Sequence, residues 1–117
     1  MKENKIAELS VEFSVDIINL VKHLKSSHES IISNQIGRSG ISIGANIHDA
    51  QYAQGKKDFI SKLEIALKEA SETGYCLELL RKTNYIDEQL YQALSAQCTF
   101  LRVMLIASCR TAKGNTQ

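Results

Sequence analysis

The chain contains no proline, and its apolar residues recur in alternating steps of three and four. This spacing places side chains on one face of an α-helix, and without proline nothing interrupts a long helix. The pattern predicts an all-α chain with four helices, at about residues 4–25, 28–53, 57–83 and 88–112. The clearest apolar stripe is that of the third helix, which consists of Ile60, Leu63, Leu67, Ala70, Gly74 and Leu77.

Length and charge limit what these helices can form. A chain of 117 residues fits a single domain, residues 1–117, with its own core. Short connections favour an antiparallel up-down-up-down four-helix bundle. The 14 basic and 13 acidic residues nearly cancel, so net charge alone favours neither nucleic acid nor membranes as a partner.

Cysteine spacing and the ends of the chain indicate a cytoplasmic protein. The three cysteines show no CxxC spacing and suit free thiols in a reducing compartment. We therefore expect no metal site and no cofactor. No signal peptide is expected, because Met1 to Leu9 is charged. No membrane span is expected either, because the longest weakly charged run, Ser30 to His48, contains polar residues and Arg38, and the apolar stretch around Arg102 is too short.

Helix ends are predicted from a few polar residues. Ser26 and Glu29 have the spacing of a capping box that would open the second helix. Asn84 can adopt a left-handed conformation that ends the third helix, and Asp87 can cap the fourth.

The segment GRSGISIGANIH, residues 37–48, contains three glycines and matches neither the dinucleotide-binding nor the Walker phosphate motif. On a helix, Gly37, Gly40 and Gly44 share one face. Each interior glycine costs about 1 kcal/mol relative to alanine, so close packing against another helix must offset that cost. We expect Gly74 to be the matching notch, and Asn46, an amide among isoleucines, to fix register or oligomeric state.

The second helix is unusually poor in charge, since Arg38 alone is formally charged between Ser30 and His48. A bundle helix normally keeps a charged face toward water. Two alternatives follow: either this helix makes a second contact, with another copy of the protein, or its Ser, Asn and Gln residues face water.

The segment from Gly40 to Leu80 resembles the signature of the four-helix-bundle family of 23S rRNA intervening-sequence proteins. One element of the resemblance is Ser42, Ile43, Asn46, Ile47, Asp49 and Ala50. A second element is Lys56, Lys57, Asp58 and Phe59, running into Leu63, Ile65, Ala66, Leu67, Glu69, Glu72 and Leu77. The chain departs from the family pattern at Asp49, where glutamate is usual, at Gly55 and at Cys76.

The resemblance implies helical bundles that assemble into rings, typically pentamers, with no established catalytic activity. It also implies a relationship to the accessory variability determinant protein of diversity-generating retroelements, which binds a reverse transcriptase and has affinity for nucleic acid. The partners expected from it are therefore further copies of the chain, and RNA, DNA or a reverse-transcriptase-like protein.

The basic residues suggest a surface for such a partner. Lys56, Lys57 and Lys62 cluster after the second connection, and Arg102 and Arg110 lie in a long stretch without acids. In a ring these cations would repeat and form a basic rim. Two functions stay open at this point, a nucleic-acid-binding scaffold and a protein–protein adaptor.

No residue pattern in the sequence predicts an enzyme. The glutamates of the third helix lack the Glu-x-x-His spacing of di-iron bundles, and we expect Glu64 to pair with Lys68 on the surface. His48 has no predicted nucleophile or oxyanion site near it, so no catalytic residue is assigned.

Overall fold

A computed structural model describes residues 2–114 of the chain and the side chains from residue 5 onward; Met1 and the last three residues lie outside that range. The helices are α1 (Lys2–Ser26), α2 (Ile31–Ala50), α3 (Lys56–Lys82) and α4 (Glu88–Ala112). Within residues 2–114 there is no β-strand. The prediction of an all-α chain with four helices is confirmed.

The helices enclose one apolar core. α2 packs against both α1 and α3, α4 packs against α3, and the contact between α1 and α4 is smaller. Each helix contributes side chains at the predicted steps of three and four, because only that spacing keeps one helix face inside. The largest fully buried apolar side chains are Phe13, Ile17, Leu24, Ile36, Ile43, Leu77, Leu80, Leu101 and Leu105.

The second helix is shorter than predicted, since it spans Ile31–Ala50 rather than residues 28–53. At its start, His28 has a positive φ of 64°, so the chain leaves the helical conformation between α1 and α2. After its end, the backbone amide of Gln54 donates to the carboxylate of Asp58 at 3.2 Å. This bond holds the turn between α2 and α3.

The predicted capping box of Ser26 and Glu29 is wrong. The Ser26 hydroxyl donates to the carbonyl of His23 and so belongs to the end of α1. Glu29 instead caps α2 alone, because its two carboxylate oxygens accept from the amides of Ile32 at 2.8 Å and Ser33 at 2.7 Å. A carboxylate at this position also interacts favourably with the helix dipole.

The predicted boundary between α3 and α4 is confirmed. Asn84 adopts a left-handed conformation with a φ of 66°, and the Asp87 carboxylate accepts from the Leu90 amide at 2.8 Å.

By length and composition alone, α4 is apolar enough to cross a membrane. Part of this apolar character belongs to the core, where Leu94, Leu101 and Leu105 are buried. Another part remains on the surface, where Phe100 and Val103 are exposed.

All three cysteines are free and buried. Cys98 lies between α3 and α4, where its thiol donates to the carbonyl of Ala70 at 3.3 Å. Burial raises the pKa of the Cys98 thiol from 9.0 to about 11. Burial also raises the pKa values of Cys76 and Cys109, so these thiols are poor nucleophiles at neutral pH.

The raised pKa of Cys98 makes stability depend on alkaline pH. The folded chain holds this proton more tightly than the unfolded chain, so the stabilisation is complete below about pH 9 and is lost as pH rises through about 11. Cys98→Ser removes the titration and keeps a donor for Ala70. We expect the melting temperature, followed by circular dichroism from about pH 8 to about pH 10.5, to fall more for the wild type than for Cys98→Ser. An equal fall in the melting temperatures of the wild type and Cys98→Ser would contradict the raised pKa of Cys98.

Candidate functional site

Basic residues from α3 and α4 meet at one end of the molecule. The Lys113 ammonium, just beyond α4, lies 2.7 Å from the carboxylate of Glu64 in α3, so the first turns of α3 lie beside the last turns of α4. This contact brings Lys56 and Lys57, at the start of α3, to the same end as Arg110. We call these residues, with Lys113, the basic end.

Two acidic residues near the basic end, Glu64 and Asp58, already have partners. Glu64 pairs with Lys113 rather than with the predicted Lys68, and its hydrogen bond raises the pKa of Lys113. Asp58 accepts from the backbone of Gln54. Lys56 and Lys57 are exposed, and neither forms an ion pair with any side chain of residues 5–114. Their charges are therefore available to a partner.

Arg102, which the sequence grouped with these cations, lies elsewhere. Lys62 is half-buried on α3, between Lys57 and Glu64 in the sequence. Arg102 precedes Arg110 by eight residues, or about 12 Å along a helix. It borders a groove of about 240 Å³ between α3 and α4 that is lined by small residues, including Ser71, Gly74 and Thr99.

The three glycines of α2 lie against α1 of the same chain. A methyl group added at Gly40 would lie 3.0 Å from two side-chain carbons of Ile17. At Gly44 it would lie 3.2 Å from the Ser14 hydroxyl, and at Gly37 it would lie 3.3 Å from a methyl of Val21. The close approach expected for this segment is therefore made to α1; a role for these glycines between copies stays a prediction.

The expected matching notch at Gly74 is wrong within the chain. A methyl group added there would meet no atom within 4 Å, because Gly74 faces the open groove beside Arg102. Asn46 also makes different contacts from those expected: its amide donates to the Ser42 carbonyl at 2.9 Å and to the Ser42 hydroxyl at 3.2 Å. These partners lie in its own helix, so Asn46 fixes no register between helices through them.

A buried hydroxyl pair that the sequence analysis missed joins α2 to α3. The oxygens of Ser39 and Thr73 are 2.8 Å apart, and the Thr73 hydroxyl donates to the carbonyl of Glu69. Because the Thr73 proton is used in that bond, Ser39 is the donor within the pair. The one sequence feature that could have predicted this pair is that Ser39 and Thr73 each lie beside an apolar stripe.

Arg38 adds an ion cluster to the same helix pair. Its guanidinium lies 2.7 Å from the carboxylate of Glu72 and 3.3 Å from that of Glu69. α2 is thus held by α1 on its glycine face and by α3 on its polar face. The exposed face of α2 still carries Asn34, Gln35 and Ile41, so contact of this helix with another copy stays a prediction.

His48 lies on the surface near the end of α2. Its imidazole is 3.5 Å from the Asp49 carboxylate, and its ring centroid is 5.3 Å from that of Tyr52. Both neighbours are exposed residues of the same helix end. Asp49, where the intervening-sequence pattern usually has glutamate, has His48 as its described contact.

Comparisons with known proteins agree with this fold and with the motif of α2 and α3. The family model described as 23S rRNA-intervening sequence protein matches residues 2–107. The chain belongs to the 23S rRNA-intervening sequence protein family. A crystal structure from Bacteroides thetaiotaomicron, described as a protein with unknown function from the S23 ribosomal protein family, is 48% identical with a TM-score of 0.92. The match covers 94% of this chain and 99% of that one. A comparison with curated proteins gives no match.

In this intervening-sequence protein, two glycine-to-alanine substitutions are expected to change the free energy of unfolding in opposite directions. Gly40→Ala forces a methyl against Ile17, which is fully buried and β-branched, so we expect a loss of about 1–3 kcal/mol in the free energy of unfolding. Gly74→Ala meets no neighbour, so we expect a gain of roughly 0.4–1 kcal/mol. Chemical denaturation followed by circular dichroism measures both changes. A stabilising Gly40→Ala would contradict the close approach of α2 to α1.

Proposed function

We propose that this intervening-sequence protein is a non-enzymatic, oligomeric scaffold in the cytoplasm that binds nucleic acid through its basic end. The observation that carries the proposal is the meeting of Lys56 and Lys57 with the end of α4, where Glu64 and Asp58 already have partners. Phosphate groups are the ligands that such unpaired ammonium groups attract without regard to base sequence.

The proposal includes an antiparallel, up-down-up-down arrangement of the four helices. It is supported by the order of the contacts between α1 and α2: Gly37, Gly40 and Gly44 approach Val21, Ile17 and Ser14, so numbers rise in one helix as they fall in the other. Between α3 and α4 the same order holds, since Glu64 contacts Lys113 and Arg81 contacts Glu88.

The proposal also includes assembly into a ring, most simply a pentamer as the family resemblance implies. A ring would repeat each basic end around its axis and so raise the local density of positive charge on a chain whose net charge is only +1. Several weak phosphate contacts made at once bind much more tightly than one.

Assembly is tested by size-exclusion chromatography with light scattering at micromolar concentration. Five chains of 13.0 kDa give an expected mass of about 65 kDa. A stable monomer would contradict the scaffold proposal.

Nucleic-acid binding is tested by its dependence on salt. Lys56, Lys57 and Lys62 are changed together to glutamine, and binding of labelled RNA and DNA is followed by fluorescence anisotropy over a range of salt concentrations. If each lysine contacts a phosphate, the slope of log K against log salt falls by roughly 0.7–0.9 per lost contact, similarly for all base sequences.

A matched control removes three cations from the other end of the molecule by changing Lys22, Lys25 and Lys82 to glutamine. This control should leave the slope near that of the wild type. Absent or salt-insensitive binding by the wild type would instead favour the second candidate, an adaptor that binds a protein such as a reverse transcriptase. The exposed Ile31 and Ile41 on α2 are the observation that favours that candidate.

A further inference from the structure

Two stripes of apolar side chains lie on the surface of the chain. On α1, the exposed fractions are 63% for Val11, 50% for Val15 and 46% for Ile18. On α4, they are 52% for Phe100 and 57% for Val103, and the exposed Ala107 continues the stripe. Single exposed apolar residues are common on protein surfaces, but contiguous ones mark contacts with other molecules.

The two stripes have the same spacing and end in opposite charges. We define the α1 stripe as the exposed residues Glu8, Val11, Val15 and Ile18. We define the α4 stripe as the exposed residues Phe100, Val103, Ala107 and Arg110. Both follow steps of three, four and three, so side chains of one helix can lie opposite those of the other along the whole stripe.

Charge selects how the stripes pair. If the two helices run in opposite directions, Glu8 meets Arg110 and apolar residues meet apolar residues. If each stripe pairs instead with its own copy in opposite directions, Glu8 meets Ile18 or Arg110 meets Phe100. Setting a charge against an apolar side chain loses solvation without a compensating partner. The α1 and α4 stripes are therefore complementary to each other and not to themselves.

The stripes cannot meet within one chain. α1 and α4 of the same chain contact each other through different residues, including the carboxylate of Asp16 and the amide of Gln97 at 3.0 Å. Val15 and Val103 remain half exposed beside this contact. Only another molecule can cover them, and a second copy offers the matching stripe.

We infer that the α1 stripe of one copy packs against the α4 stripe of the next copy, with Glu8 facing Arg110. The inference rests on the proposed self-association. Each copy then uses one stripe on either side, which is the head-to-tail interface that closes into a ring when the rotation between copies allows it. Lys56 and Lys57 belong to neither stripe and stay available to nucleic acid.

The test uses one charged variant of each stripe, Val15→Glu and Val103→Glu. Both positions are at least half exposed, so each variant should fold, with its circular dichroism spectrum and melting curve as the check. We expect each variant alone to lose the wild-type assembly and run as a monomer. In an equimolar mixture, one intact α1 stripe meets one intact α4 stripe, so we expect a dimer of about 26 kDa from two chains of 13.0 kDa by light scattering.

Tyr75→Glu is the matched control, because Tyr75 is an exposed apolar residue, at 63%, outside both stripes. It should leave the assembly intact. Dimers formed by either stripe variant alone would show that stripes pair with themselves and would overturn the inference. Unchanged assembly of both variants would overturn it as well, while leaving the scaffold proposal standing. A monomeric wild type would overturn both, and the lysine test would still decide nucleic-acid binding.

Discussion

The close approach of α2 to α1 is the contact on which the rest of the fold depends. At Gly40 the two helices are so near that a methyl group would touch Ile17 at 3.0 Å, and the same face continues through Gly37 and Gly44. With α2 seated this deeply, its other side reaches α3, where Ser39 and Arg38 find Thr73 and Glu72. The glycine face thus sets the position of the central helix. The favourable packing offsets a propensity cost of about 1 kcal/mol for each glycine.

The sequence predicts the helices well, because the core residues and the helix period obey the same geometry. Leu63, Ala70 and Leu77 were expected inside from their spacing and lie inside. The ends of α2 were harder, since they depend on which side chain captures which amide, and Glu29 does so without the help of Ser26. Gly74 shows a second limit of prediction from the sequence. A glycine in a helix does not reveal by itself whether a neighbouring helix fills the space that its missing side chain leaves.

The candidate site was predictable as a set of residues but not as an arrangement. The sequence shows that cations accumulate after the second connection and near the end of the chain. It does not show that Glu64 forms its ion pair with Lys113 instead of the expected Lys68. Nor does it show that Arg102 lies along a groove away from Lys56 and Lys57. These outcomes depend on the relative height of α3 and α4, which is set by packing of the whole core. An ion pair between distant segments has no local sequence signal.

Low charge on α2 suggested that this helix contacts another copy, which stays a prediction. α2 packs against α1 and α3 within its own chain, and its exposed face carries Asn34, Gln35 and Ile41. α1 and α4 have only a small contact with each other, so their outer faces remain open. Exposed apolar residues persist on these two helices, at Val11 and Val103 among others, while charged residues dominate the exposed surface of α3. A surface that is apolar on two separate helices, with an acid beside one and a base beside the other, is what a head-to-tail assembly requires of each copy. Lys56 and Lys57 lie outside both stripes, so of the residues of the basic end only Arg110 is shared between assembly and phosphate binding.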